Sequence, residues 1–162
     1  MSIIAATKEI WKASRQRTQA ILDEIEKLPQ SQDVLGWRPG PGRAHIAWQL
    51  MHIGVTEELF ATERLLETPP SDPDLCDRFR GGSTPDDDIP SVHEIRTLLD
   101  SSRTHLEETL TRFSDDDLPT IPEPLQERDW SIAKVLHVLT WHEPHHQGQA
   151  HLTLNLWKAV QS

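Results

Sequence analysis

Cysteine is almost missing from this chain. Cys76 is the only one, so there is no intrachain disulfide and no thiolate cluster for a metal. Tyrosine is absent altogether. No apolar run approaches the ~18 residues that a membrane-crossing helix needs. Basic charge is scarce as well: 16 Lys and Arg stand against 26 Asp and Glu, a formal net charge of −10. A nucleic-acid surface needs clustered cations, whereas Arg15, Arg17, Arg38, Arg43, Arg78 and Arg80 are scattered and never gather into a run. No stretch alternates apolar and polar residues between hairpin turns, so no sheet is expected. The opening residues meet charge at Lys8 and Glu9, too early for a secretory apolar region, and the cytoplasm is the expected location.

Prolines organise what is present. All of the 12 except Pro144 fall in breaks at Pro29, Pro39 to Pro41, Pro69 to Pro90 and Pro119 to Pro124. A proline costs a helix interior about 3 kcal/mol, so helices are expected in the stretches between, roughly 2–28, 43–67, 91–113 and 131–160. Each carries an apolar helical period. The first places Ile3, Ile10, Ala13, Arg17, Ile21 and Ile25 near one stripe. The second has Ile46, Leu50, Ile53, Phe60 and Leu66. The third opens on Ser91-x-x-Glu94, a capping-box pattern, and continues with Ile95, Leu98, Leu99, Leu106, Leu110 and Phe113. The fourth starts near Asp129 or Ser131 and carries Ile132, Val135, Leu136, Leu139, Leu152, Leu156 and Val160.

Four amphipathic segments predict an all-α chain, a four-helix bundle forming one domain over 1–162. The polar, proline-rich link of 68–90 is long enough to run the length of a bundle. It predicts a crossover that leaves the second and third helices parallel. Its Asp86-Asp87-Asp88 run reads as a solvated loop, because no Glu or Gly sits at calcium-loop spacing.

Histidine is the unusual residue. There are nine, five of them between 137 and 151. His142 and His146 are four apart and share a helix face one turn apart, a spacing that lets two imidazoles chelate one ion. Taken alone, the pair reads equally well as hydrogen-bonded core histidines. His52, in the apolar middle of the second helix, shifts that balance. Three buried imidazoles without a ligand would each need hydrogen-bond partners, and one shared ion satisfies all three.

His45 lies two turns before His52, too far along the axis to reach the same ion, and is expected to lie behind the ligands or in a pocket beside them. Glu143, Gln149 and His45 are the candidates for proton transfer or substrate orientation. His145 is expected beside the ligands or in solvent, and His93, His105, His137 and His151 are expected in solvated or structural roles. Pro144, between two of the proposed ligands, should kink the last helix near 140–144.

Two motif matches fail on inspection. His142-Glu-Pro-His-His146 has the form of the zinc-peptidase motif, but Pro144 interrupts it and no strand is available to align a peptide. Glu143-x-x-His146 has the form found in di-iron bundles, which need it twice, and there is no second copy.

The run Arg43-Ala-His-Ile-Ala-Trp-Gln-Leu-Met-His52-Ile53, followed far downstream by His142-x-x-x-His146-Gln-Gly-Gln149, resembles the DinB/YfiT-like superfamily. The resemblance covers nearly the whole chain. It implies an up-down-down-up four-helix bundle and a divalent metal site in which His52, His142 and His146 match the ligands. It also implies a homodimer, and activities such as those of thiol-dependent transferases and isomerases that use mycothiol or bacillithiol.

Three neutral imidazoles leave at least one coordination position open, the catalytic rather than the structural zinc pattern, and an open position accepts water or a thiolate. Zinc or nickel is expected first, iron or manganese after them. The expected function is a metal-dependent enzyme for a small molecule, of thiol-dependent S-transferase, isomerase or hydrolase type, with a low-molecular-weight thiol as candidate co-substrate. The alternative is a non-catalytic, metal-stabilised binding module. A pocket reaching the metal and lined by Trp48, Gln49 or Gln149 would favour the enzyme. With ordinary imidazole pKa values of about 6.5, metal affinity should fall below about pH 6.

Overall fold

Every regular element in the computed structural model, which describes residues 1–161, is helical. The four long helices are α1 (Ile3–Glu26), α3 (Ile46–Leu59), α5 (Val92–Leu110) and α6 (Ile132–Gln161). Two short helices, α2 (Ser31–Gly36) and α4 (Pro73–Phe79), lie in segments expected to be loops. The proline breaks place the long helices well: α1, α3 and α5 lie inside their proline-poor stretches, and α6 overruns its own by one residue. Helix α1 packs on α5 and α6, and α3 packs on the same two. No helix is long and apolar enough to cross a membrane, among the described residues.

Capping follows the sequence. The Ser91 hydroxyl accepts from the Glu94 N–H at 3.2 Å while the Glu94 carboxylate accepts from the Ser91 N–H at 2.8 Å, satisfying two of the free donors at the start of α5. Asp72 caps α4 by accepting from the Leu75 N–H at 2.9 Å, with Pro73 in the first helical position, where its missing N–H costs nothing. This two-turn helix was hidden by its proline-rich surroundings, yet it buries Cys76 and Phe79. The aspartate run is tied down as well as exposed: Arg78 pairs with Asp86 and Asp88, and Arg38 with Asp87.

The inward faces differ from the expected stripes in two places. On α1, Ile3 and Ile10 are exposed, and the buried positions are Ile4, Trp11, Arg15, Thr18, Ile21, Leu22 and Ile25. Positions 11, 15, 18, 22 and 25 alternate four- and three-residue steps along one seam, but two of them are polar. On the second half of α6, Leu152, Leu156 and Val160 face solvent, while Ala150, Thr153, Leu154 and Trp157 turn inward. Helix α3 shows no polar side at all: of its 14 residues only Thr56 escapes burial, as expected of a central element. Its Gly54 lets α5 approach closely, since a Cβ there would lie 2.8 Å from Leu98 Cγ.

The polar positions in the α1 seam are explained by a buried ionic cluster to which each long helix contributes one charged residue. Arg15 of α1 binds Glu57 of α3 at 2.9 Å and Glu143 of α6 at 2.8 Å. Arg103 of α5 binds the same two carboxylates, Glu143 at 2.7 Å. Thr18 donates to Glu143 at 2.7 Å, Ser102 to Glu57 at 3.3 Å, and Arg15 to the Leu99 carbonyl. Such a cluster can specify helix register even where its net stabilisation is small.

Helix α6 runs unbroken through Pro144. The ring removes the hydrogen bond to the Thr140 carbonyl, but Pro144 lies on the exposed side, where water can meet the freed carbonyl. The interruption expected from sequence is thus absorbed without ending the helix.

Candidate metal centre

His52 comes from the middle of α3, and His142 and His146 from adjacent turns of α6. One ring nitrogen from each lies within 4.8 Å of the other two. His52 Nε2 and His142 Nε2 are 3.1 Å apart. Two nitrogens on one tetrahedral zinc would sit about 3.4 Å apart at the usual bond length, so small side-chain rotations would close the triangle.

The surroundings fix which nitrogens point inward. His52 Nδ1–H donates to the Phe79 carbonyl at 2.7 Å, and a carbonyl can only accept. His146 Nδ1–H donates to Gln49 Oε1 at 2.6 Å. In these neutral tautomers, Nε2 of each ring carries only a lone pair. Trp48 stacks on His52 with ring centroids 4.8 Å apart and planes within 9°, and Gly81 leaves room beside the same ring.

His142 Nε2–H can donate to His52 Nε2 at 3.1 Å, while the part-buried His146 makes its hydrogen bond through Nδ1 and turns an Nε2 lone pair toward the same space. A cation satisfies what the side chains cannot satisfy among themselves, so the donor set fits a divalent transition ion. Orientation of ligating imidazoles through their outer nitrogens is the usual support for such a site.

Charge state agrees with this. Burial, reinforced by the neighbouring imidazoles, pushes His142 and His146 down to about 3, and burial also lowers His52. The rings are therefore neutral at pH 7 and ready to ligate.

The depressed values revise the expected acid sensitivity. Between about pH 6.5 and pH 3 the unfolded chain takes up protons that the folded chain refuses, so the metal-free fold loses stability as pH falls through that window. While folded, however, protons compete weakly for the ligand nitrogens. An ion loaded onto the three histidines should stay in place on dialysis at pH 5, with the far-UV circular dichroism unchanged. Release at pH 5 from a chain that stays folded would show that burial does not protect the ligands.

The three candidate catalytic residues have different settings. Gln149 joins the centre's outer layer: it accepts from Gln49 Nε2 at 3.1 Å and contacts His145 Nε2 at 2.8 Å. A directional chain thus runs from His146 through Gln49 and Gln149 to His145. Glu143 is buried in the ionic cluster, its oxygens taken by Arg15, Arg103 and Thr18. His45 is fully buried at the start of α3, where Nδ1 accepts from the Trp48 N–H and Nε2–H donates to the Asp86 carbonyl, each at 3.0 Å. Of the remaining histidines, His105 pairs with Glu58 at 2.8 Å.

A cavity of about 320 Å³ opens onto His52 and His142. Its walls are not the expected Trp48, Gln49 and Gln149. They include Thr56, Phe60, Arg64, Arg128, Trp130 and Trp141. Phe60 and Arg64 lie in a wider, π-type turn over Phe60–Arg64 that continues α3, with the Leu65 N–H reaching back to the Phe60 carbonyl at 3.1 Å. Such turns often occur at functional sites. A second cavity, of about 420 Å³ beside Met51, Leu75 and Leu98, reaches none of the three histidines.

Sequence reasoning missed Phe79, because its contribution is a backbone carbonyl. It also missed Arg64 and Arg128, which lie outside any motif.

Fold and site together define an all-helical protein with a three-histidine cluster suited to a metal ion. The chain belongs to the DinB superfamily, whose family model matches residues 10–150. No curated protein and no solved structure matches it.

Proposed function

We propose that this chain is a metal-dependent enzyme acting on a small molecule, with His52, His142 and His146 holding one divalent transition ion. Zinc or nickel is the first candidate, iron or manganese the next. The observation that carries the reading is the cavity opening onto His52 and His142, since a purely structural metal site is closed by its ligands. When bound, an ion held by three imidazoles supplies Lewis acidity at a position open to a small molecule.

The chain's own residues prepare that position. Phe79 and Gln49 hold two imidazoles in the ligating tautomer, and Trp48 fixes the plane of His52. Gln149 acts through Gln49 as a positioning residue. Glu143 and His45 act at longer range, the first by setting the register of α6 and the second by starting α3. The reaction classes are thiol-dependent S-transfer or isomerisation, with a low-molecular-weight thiol as co-substrate, or hydrolysis. The arrangement of long helices proposed here is the up-down-down-up bundle. A homodimer is proposed through Ile10 of α1 and Leu152 and Leu156 of α6, apolar residues left exposed on helices that pack together.

The test is turnover by metal-loaded and chelated protein, assayed with small electrophiles plus a thiol and with hydrolysable esters and amides. Activity should disappear on chelation. It should also fall at least roughly tenfold in Thr56→Trp, which fills the cavity without removing a ligand. No turnover in either assay, with chelation melting the fold, would favour the non-catalytic metal-stabilised module.

A further inference from the structure

In a chain with 26 acidic residues and a net charge of −10, the cavity beside His52 and His142 has three arginines in its walls and no carboxylate. The three are not equivalent. Arg80 is neutralised by Asp77 at 2.8 Å and Glu63 at 3.2 Å. Arg64 and Arg128 have no carboxylate partner among the described residues. Arg64 is half-buried, and Arg128 sits over the Trp130 ring, 5.3 Å from its centroid. Arg128 is otherwise exposed, and guanidinium groups without a counter-ion attract anions, their planar fork matching a carboxylate.

Phe60, Trp130 and Trp141 add aromatic surface to the wall, beside Thr56, Leu59 and Val138. Phe60 and Trp130 stack with planes 5° apart and centroids at 6.4 Å, and this stack keeps Trp130 and the Arg128 above it in the wall. Trp141 is 50% exposed, an unusual expenditure of apolar surface unless something covers it. At about 320 Å³ the space is at the small end for ligand pockets.

We propose that this cavity binds a small aromatic carboxylate, its anionic group held by Arg64 and Arg128 and its ring lying against Trp130 and Trp141. The assignment rests on the reading of the cavity as the approach to the metal centre and names the substrate class for it. The uncompensated arginines select the charge, the aromatic walls select a flat body, and the volume limits it to one or two rings.

The test uses 2-naphthoate and its neutral counterpart 2-naphthamide, titrated calorimetrically into the full chain. Three proteins are compared: metal-loaded native, chelated native, and metal-loaded Arg64→Gln/Arg128→Gln. Metal content and circular dichroism are measured on each. Naphthoate should bind native protein roughly tenfold or more tighter than naphthamide, the effect of a charge-assisted hydrogen bond. The double variant should keep its metal and lose that preference.

A double variant that still prefers naphthoate by the native margin overturns the proposal, and loss of the preference on chelation alone would then place the anion on the metal. A native chain that takes up no metal, but prefers naphthoate through these arginines, would sink the metal reading and leave the anion site standing.

Discussion

Replacing His52 or His146 with alanine is expected to strip the ion from the chain. Reconstituted native protein should hold about one transition metal per chain, and either variant well under half of that after dialysis. The outer layer should behave differently. Gln49→Ala keeps all three imidazoles but frees His146 Nδ1, so affinity should fall by roughly 10–100-fold without being abolished. Stability should follow occupancy: at a free metal concentration about 1,000 times Kd, binding adds about 4 kcal/mol. For a chain of this size that is a rise in Tm of roughly 8–16 °C. Elemental analysis and thermal melts, with and without added metal, read both effects. A native chain that stays metal-free on reconstitution, with a Tm that added zinc or nickel does not move, would return the histidines to the role of core polar groups.

Truncating Glu57 should give the second large effect, one that does not depend on metal. Its carboxylate lies between Arg15 and Arg103, so Glu57→Ala leaves two buried cations sharing only Glu143. Breaking a buried pair from one side typically costs about 3–5 kcal/mol, a fall in Tm of roughly 6–20 °C here. Asp23→Ala is the control. It removes an exposed partner of Arg96 and should cost under about 1 kcal/mol. Chelated protein should show the same difference between the two variants, because the cluster hydrogen-bonds to none of the three histidines. Equal losses in the two variants would mean that the buried cluster is no more important than a surface pair.

Burial of charge was the least legible property of the sequence. Arg15 and Glu57 read as solvent-facing residues one at a time, and only a partner from another helix makes them core. That partner also rotates the expected face of α1, so that Ile3 and Ile10 point outward. The same limit applies on α6, where Leu152 and Leu156 fit a helical period but Ala150 and Leu154 meet the neighbouring helices. Helical period locates a helix and an apolar side, but the side that is buried depends on what packs against it.

The histidines were more legible because their chemistry is local. Four-residue spacing puts His142 and His146 on one face whatever the tertiary arrangement, and an imidazole amid apolar residues marks His52 in the same way. The long helices were legible for a related reason, since proline acts on its own turn and the one before it.

Helical class, the placement of the four long helices and the three histidines could all be read from the order of residues alone. Each of these follows from residues within a few positions of one another. It took the packed helices to show that the Phe79 carbonyl and Gln49 orient two of those histidines, that Glu143 belongs to the ionic cluster, and that Arg64 and Arg128 face the cavity. Those relations join residues distant in sequence, and a hydrogen bond or an uncompensated charge is a property of the whole surrounding shell, which no local pattern of residues encodes.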